Sequence, residues 1–205
     1  MKTQTKASQA ALTPASALEL LKEGNQRFLS QKMTSRDLTA QVSDTATGQF
    51  PFACVLGCID SRVPSELVFD QGIGDIFNVR IAGNFVNTDI LGSMEFACKV
   101  AGSKVILVLG HTSCGAVKGA CDGVELGNLT AMLSNFDPVL QAVEYTGERN
   151  ASNTEFVNLV TEENVHATVA KIKNDSPVLN EMFTSGEIDI VGAIYDVASG
   201  EVKFL

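Results

Sequence analysis

Two short stretches of the chain carry side chains suited to holding a metal ion: Cys58-Ile59-Asp60-Ser61-Arg62 and His111-Thr112-Ser113-Cys114. Two thiolates and one imidazole form a donor set that zinc prefers. Three protein ligands leave a fourth position free, which marks a catalytic rather than a structural zinc. Asp60 stands two residues from Cys58, close enough to reach that fourth position or a water held in it. Arg62 can grip the Asp60 carboxylate with its planar fork and fix its direction. A structural zinc would need a fourth Cys or His nearby. Cys54 shares a strand face with Cys58 but stands roughly 13 Å away along an extended chain. Cys121 lies seven residues beyond Cys114, and His166 falls in a separate helical stretch, where it reads as a polar-face or packing residue. The bland alternative for Cys58, His111 and Cys114, two buried thiols and a core histidine, is disfavoured by the context in which both half-motifs occur.

That context is a pair of buried strands. Phe52-Ala53-Cys54-Val55-Leu56 precedes the first half-motif and Val105-Ile106-Leu107-Val108-Leu109 the second, each followed by Gly. Short branched runs of this kind suit parallel strands covered on both faces, and such sheets place their chemistry at the carboxyl ends of the strands. Residues 75–81 and 188–195 read as further strands, and 202–205 as an antiparallel edge strand after the turn Ala198-Ser199-Gly200. Thr13-Pro14 opens a helix over 14–33 with Leu18, Leu21, Asn25, Phe28 and Lys32 as its stripe. Residues 1–13 read as loose and 34–48 as a surface connection. Further helices are expected at 65–70, from a Thr88 cap to about Val100, from Cys114-Gly115, within 127–148, over 152–173 and from Ser176-Pro177. The alternation predicts one α/β domain over 1–205: four parallel strands plus an antiparallel edge strand, flanked by helices.

The net charge of −9 and pI near 4.7 disfavour nucleic-acid and membrane partners. There are five Cys, an odd number with no apparent pairing framework, which fits a reducing compartment. Cys54 and Cys98 read as small core residues. No C-x-x-C occurs, which argues against a thiol redox protein. No apolar run is long enough to span a membrane, and the N-terminal stretch is too polar for a signal segment, so a cytoplasmic location is expected.

The Cys58–Arg62 and His111–Gly115 motifs together resemble those of the β-class carbonic anhydrases. Asp60-Ser61-Arg62-Val63-Pro64, Asn78-Val79-Arg80-Ile81-Ala82-Gly83-Asn84, Leu91-Gly92-Ser93-Met94-Glu95-Phe96 and Gly110 to Val117 carry the likeness, which runs from about residue 15 to the C-terminus. The resemblance implies one Zn²⁺ per chain on Cys58, His111 and Cys114, with Asp60 a possible fourth ligand in a closed form. It implies reversible hydration of CO₂ to bicarbonate and a proton, by attack of zinc hydroxide that the Asp60–Arg62 dyad orients. The Gly115 amide is expected to anchor the second Asp60 oxygen or an anionic product. The implied pocket residues are Gln49, Phe77 and Phe96, the last standing where many relatives have Tyr; core packing is the alternative for both aromatics. The resemblance also implies a homodimer or dimer of dimers, with the N-terminal helix lying across a partner subunit, whereas the residues alone equally suit a helix covering its own domain. A subgroup binds a second bicarbonate beside a Trp three residues before the first zinc Cys. Here that position is Val55, and the chain has no Trp, so an open zinc with Asp60 on Arg62 is expected.

Zinc with two thiolates and a neutral His carries no net charge, so its water should be less acidified than the value of about 7 at a tris-histidine site. Activity should lean alkaline unless Arg62 offsets the charge of Asp60. Hydrolysis of carbonyl sulfide or carbon disulfide on the same scaffold is the nearest alternative function. A catalytically silent zinc-binding sensor is the alternative from another class.

Overall fold

The protein is described by a computed structural model over residues 3–205; Met1 and Lys2 lie outside the described residues. Five strands, β1 (Ala53–Gly57), β2 (Ile76–Arg80), β3 (Val105–His111), β4 (Asp189–Tyr195) and β5 (Val202–Phe204), form one sheet in the order β2-β1-β3-β4-β5. All pairings are parallel except β4 with β5. Among the described residues ten α-helices accompany them: α1 (Lys6–Ala10), α2 (Pro14–Leu29), α3 (Leu38–Thr45), α4 (Ser65–Val68), α5 (Thr88–Glu95), α6 (Gly115–Cys121), α7 (Gly127–Leu133), α8 (Asp137–Ala142), α9 (Thr154–Asp175) and α10 (Pro177–Thr184).

Strand alternation sorts the core into two layers. Cys54, Leu56, Ile106, Val108 and Ile190 face Met94, Val165, Ile172 and Leu179, the inner residues of α5, α9 and α10. Ala53, Val55, Leu107, Leu109 and Ala193 face Ala17 and Leu21 of α2 together with Val63, Val68 and Phe69. Two glycines let α9 lie close on the sheet. A Cβ at Gly110 or Gly192 would stand 2.6 Å from the Val165 methyls. Among the described residues no helix is long and apolar enough to cross a membrane.

Several boundaries differ from the sequence expectation. Residues 3–13 are not loose: Thr5 caps α1, and the buried Gln9 donates through Nε2 to the carbonyls of Pro51 and Ala101, each at 2.8 Å. The 34–48 connection contains α3, capped by Asp37, whose periodicity was faint because Gln41 is its one buried residue. Asn87, not Thr88, caps α5, and the helix continues as a π-turn over Phe96–Val100. The 127–148 stretch divides into α7, a 3₁₀ turn and α8, with Pro138 in the first turn of α8.

Within this chain α2 covers its own sheet. Its Gly24 rests against α4, where a Cβ would stand 1.8 Å from the Phe69 carbonyl oxygen. Asn25 donates to the carbonyls of Val68 and Gly200 and accepts from the Val202 amide at 3.0 Å, joining α2 to α4 and β5. Just beyond α4, the fully enclosed Asp70 carboxylate accepts from Arg27 Nε at 2.5 Å, from the Arg36 guanidinium, and from the Thr34 amide and hydroxyl. Burial alone would push the Asp70 carboxyl up; the bonds from Arg27, Arg36 and Thr34 outweigh it and hold the carboxyl below its ordinary value.

Two stability changes follow from these contacts. Gly24→Ala forces backbone apart, so it should cost about 3 kcal/mol and lower the melting temperature by roughly 6–12 °C; an unchanged melting temperature would contradict the close approach. Asp70→Asn leaves Arg36 buried without its counter-charge and should cost about 3 kcal/mol at pH 7. Because the folded carboxyl titrates below its unfolded value, this stabilisation is present at neutral pH and fades as pH falls below about 4. The gap in denaturant midpoint between wild type and Asp70→Asn should therefore narrow on acidification.

Candidate metal centre

β1 and β3 are adjacent parallel strands with Gly57 opposite Leu109, so Cys58 leaves one strand beside the last residues of the other. The chain turns from β1 toward β2 and from β3 toward β4, which makes the gap between their carboxyl ends the switch point of the sheet. His111 ends β3. Ser113, at φ +57°, then reverses the chain so that Cys114 becomes the N-cap of α6. The ligand atoms of Cys58, His111 and Cys114 lie within 4.8 Å of one another, all on buried residues, and the two sulfurs are 3.9 Å apart.

The histidine settles whether this set suits a cation. His111 Nδ1 is 2.9 Å from the Thr112 carbonyl oxygen. A carbonyl only accepts, so Nδ1 carries the proton and Nε2 presents a bare lone pair. That Nε2 is fully buried and has no hydrogen-bond partner. A buried lone pair aimed at two sulfurs is costly unless a cation occupies the space between them. The sulfurs are prepared in the same sense. The Cys58 thiol is lowered by the Cys114 S–H, against the opposing effect of burial and with help from the Gly83 and Asp60 amides. Cys114 is pushed up by the Cys58 thiolate and by burial, while the amides of Val117 and Ala116 favour its charged form. A dication relieves this conflict by letting both thiolates form.

Beside the three ligands, Asp60 is paired with Arg62 through a fork: Nε to Oδ1 at 2.9 Å and Nη2 to Oδ2 at 2.7 Å, with the Arg62 amide also on Oδ1. Arg62 additionally donates to the Ser113 carbonyl at 3.2 Å, tying the two half-motifs together. Asp60 Oδ2 lies 4.0 Å from His111 Nε2. The side-chain bonds from Arg62 hold the Asp60 carboxyl well below the usual carboxylate range. Arg80 braces the loop from behind, donating to the carbonyls of Cys58 at 2.8 Å and Asp60 at 2.6 Å.

Residues 53–202 match the carbonic anhydrase family. The chain belongs to the β-carbonic anhydrases. It is 36% identical over 190 residues to carbonic anhydrase 2 of Mycobacterium tuberculosis, covering 91% of this chain and 90% of the relative. It is 33% identical to the carbonic anhydrase of Mycolicibacterium smegmatis, covering 93% and 92%. The fold superposes on the β-carbonic anhydrase CafA of Aspergillus fumigatus with TM-score 0.71 at 26% identity, covering 93% of this chain and 89% of that one. A tetrameric β-carbonic anhydrase of Sordaria macrospora superposes with TM-score 0.70 at 26% identity, covering 93% and 97%.

In this β-carbonic anhydrase chain the predicted pocket residues Gln49, Phe77 and Phe96 lie apart from the Cys58, His111 and Cys114 cluster. Gln49 is exposed before the opposite end of β1, among Thr45, Ile73 and Gly74. Phe77 stands opposite Cys54 in register, and its ring meets Phe96 edge to face at 6.2 Å. The pair lines an open cavity of about 760 Å³ along β2 and α5, with Asn78, Arg80 and Ser93. Phe96 opens the π-turn and is half exposed. No hydrogen bond joins the Gly115 amide to Asp60 among the described residues; the bonds to that carboxylate come from Arg62. His166 is exposed on α9. Sequence reasoning gave Arg80 no part in bracing the ligand loop and gave Gly83 no role. Gly83 stood inside a quoted motif, but nothing in its spacing reveals that its amide donates to Cys58 Sγ at 3.3 Å.

Arg62→Gln removes the fork and should let the Asp60 pKa climb into the ordinary carboxylate range near about 3.9. In the wild type the carboxylate stays ionised to lower pH, whereas in the variant it should gain its proton as pH falls through about 4. A carboxyl ¹³C NMR titration reads this directly, and an unshifted Asp60 would show that the fork is not what holds its charge.

Proposed function

We propose that the chain carries out zinc-dependent, reversible hydration of CO₂ to bicarbonate and a proton, with Asp60 and Arg62 orienting the attacking water. The observation that carries this is the bare, buried His111 Nε2 beside the Cys58 and Cys114 sulfurs, with a paired Asp60–Arg62 on the adjoining side. Cys58, His111 and Cys114 would hold one zinc per chain. When bound, zinc supplies a Lewis acid that makes water a nucleophile near neutral pH.

The chain's own groups do the rest. Asp60, with both oxygens engaged by Arg62, cannot turn freely. Its remaining lone pairs accept the hydrogen of the attacking water and turn the water's own lone pair toward the carbon of CO₂. Arg62 keeps the carboxylate off the cation, so the site is open, and offsets its negative charge. Phe85, Val117, Phe136 and Phe156 pack beneath the sulfurs and keep that side dry. No second histidine stands beside the ligands, so the released proton passes to buffer.

The oligomer is part of the proposal. β2 is an edge strand, and Phe96 and Val100 just beyond α5 are 53% and 72% exposed. An open edge beside exposed apolar residues calls for a partner, and a tetrameric assembly is recorded for the Sordaria macrospora relative. We place a second copy across β2, as a homodimer or dimer of dimers, which would give Phe77 and Phe96 a metal site to face. Five unpaired thiols suit a cytoplasmic location.

Stopped-flow CO₂ hydration from about pH 6.5 to 9, around the zinc-water range, tests the reading. Zinc-loaded wild type should hydrate CO₂ near neutral pH, faster with added buffer, and Cys58→Ser should lose both zinc and rate. Asp60→Asn should keep zinc and lose at least about 100-fold in rate, the scale of a positioned proton acceptor. Activity confined to alkaline pH would place Asp60 on the metal at low pH. Turnover of carbonyl sulfide but not CO₂, with zinc bound, would overturn the substrate assignment.

A further inference from the structure

The Cys58 sulfur needs more than its own backbone to hold its direction, because it lies just past the end of β1. One bond to it comes from the Gly83 amide, at 3.3 Å. Gly83 has φ +81°, and a Cβ there would stand 2.3 Å from the Phe136 ring, so glycine alone fits and the peptide is confined from that side. On its other side the Gly83 carbonyl accepts from Asn164 Nδ2 at 2.9 Å, and this bond is buried. Asn164 is 2% exposed in the interior of α9. Its neighbour Val165 is the residue that packs against Gly110 and Gly192. The close approach of α9 to the sheet thus sets where the Asn164 amide stands.

We propose that Asn164 is a positioning residue of the metal centre: by fixing the carbonyl of the Gly83–Asn84 peptide it anchors the Gly83 backbone, so that the N–H of the preceding Ala82–Gly83 peptide stays on the Cys58 sulfur. An N–H···S bond orients a thiolate and draws off part of its charge, and partners of this kind tune metal affinity and reactivity. In a centre with two thiolates, that leaves the cation a stronger Lewis acid than the bare donor set would. Leucine at 164 would keep the branched shape of asparagine but leave the Gly83 carbonyl unpaired and release the anchor on the Gly83 backbone. Aspartate would match the shape and, when ionised, repel that carbonyl. Thr168, one turn along α9 and also buried, is not the residue that bonds the Gly83 carbonyl and serves as the control.

The inference rests on Cys58 being a metal ligand, and cobalt loading separates the two readings. Wild type should bind one Co²⁺ per chain with thiolate-to-cobalt charge-transfer absorption. Asn164→Leu should weaken zinc binding by about 10–100-fold and shift that absorption, with Asn164→Asp moving both in the same direction at neutral pH and Thr168→Val moving neither. Wild-type zinc affinity and spectrum in both Asn164 variants, or an equal change in Thr168→Val, would overturn the positioning role while leaving the metal site intact. Absence of cobalt binding by wild type would overturn both. Should the variants fail to fold, ¹¹³Cd-loaded wild type decides: the Gly83 amide proton should show a scalar coupling to cadmium across the bond to sulfur, and its absence refutes the inference.

Discussion

The parallel pairing of β1 with β3 is the constraint on which the centre depends. With Gly57 opposite Leu109, a thiol one residue past β1 and an imidazole at the end of β3 emerge side by side. A shift of one residue would turn every β1 side chain to the other face of the sheet. Both layers of the core would then lose their partners, since Cys54 and Leu56 serve one layer and Ala53 and Val55 the other. The register that fills the core is the register that assembles the ligands. Packing and chemistry are therefore fixed by one set of hydrogen bonds.

Charge is the second constraint. Two cysteine sulfurs and the Asp60 carboxylate crowd one end of the sheet, a concentration of negative potential in a chain whose net charge is already −9. The fold meets it with fixed donors. Arg62 takes the carboxylate, the Gly83 amide takes Cys58, and the first-turn amides of α6 favour the Cys114 thiolate. These groups are in place without reorganisation, which is what makes an electrostatic site effective.

What the sequence disclosed follows from how each feature is encoded. The strands and the long α9 were legible because burial writes itself as runs and stripes of apolar residues. Cys58, His111 and Cys114 were legible because metal-binding side chains are few and their spacing is restrictive. α1 and α3 escaped because a single buried residue each, Gln9 and Gln41, holds the helix against the domain, and a lone glutamine leaves no periodicity. The Gly83 contact escaped because a backbone amide has no letter of its own. Asn164 escaped because its partner is a carbonyl 81 positions away in the chain. Gln49, Phe77 and Phe96 were assigned by resemblance alone, and within a single chain they stand elsewhere: before β1, in β2 and in the turn after α5.

Arg80 and Val55 together bear on whether a second anion has a place near the centre. Val55 is wholly enclosed between strands and helices on the α2 side of the sheet, where a Trp in the subgroup with a second bicarbonate would stand. Arg80, the cation such an anion would need, holds the carbonyls of Cys58 and Asp60 through Nε and Nη2 while also lining the open cavity along β2 and α5. An anion drawing Arg80 away would exchange two good hydrogen bonds for one ion pair at the protein surface, where such pairs contribute little. It would also release the backbone on both sides of Ile59, loosening Cys58 and the Asp60 carboxylate at once. With Arg80 so engaged, the loop is held with Asp60 on Arg62, and Val55 stays enclosed in the core on the α2 side of the sheet.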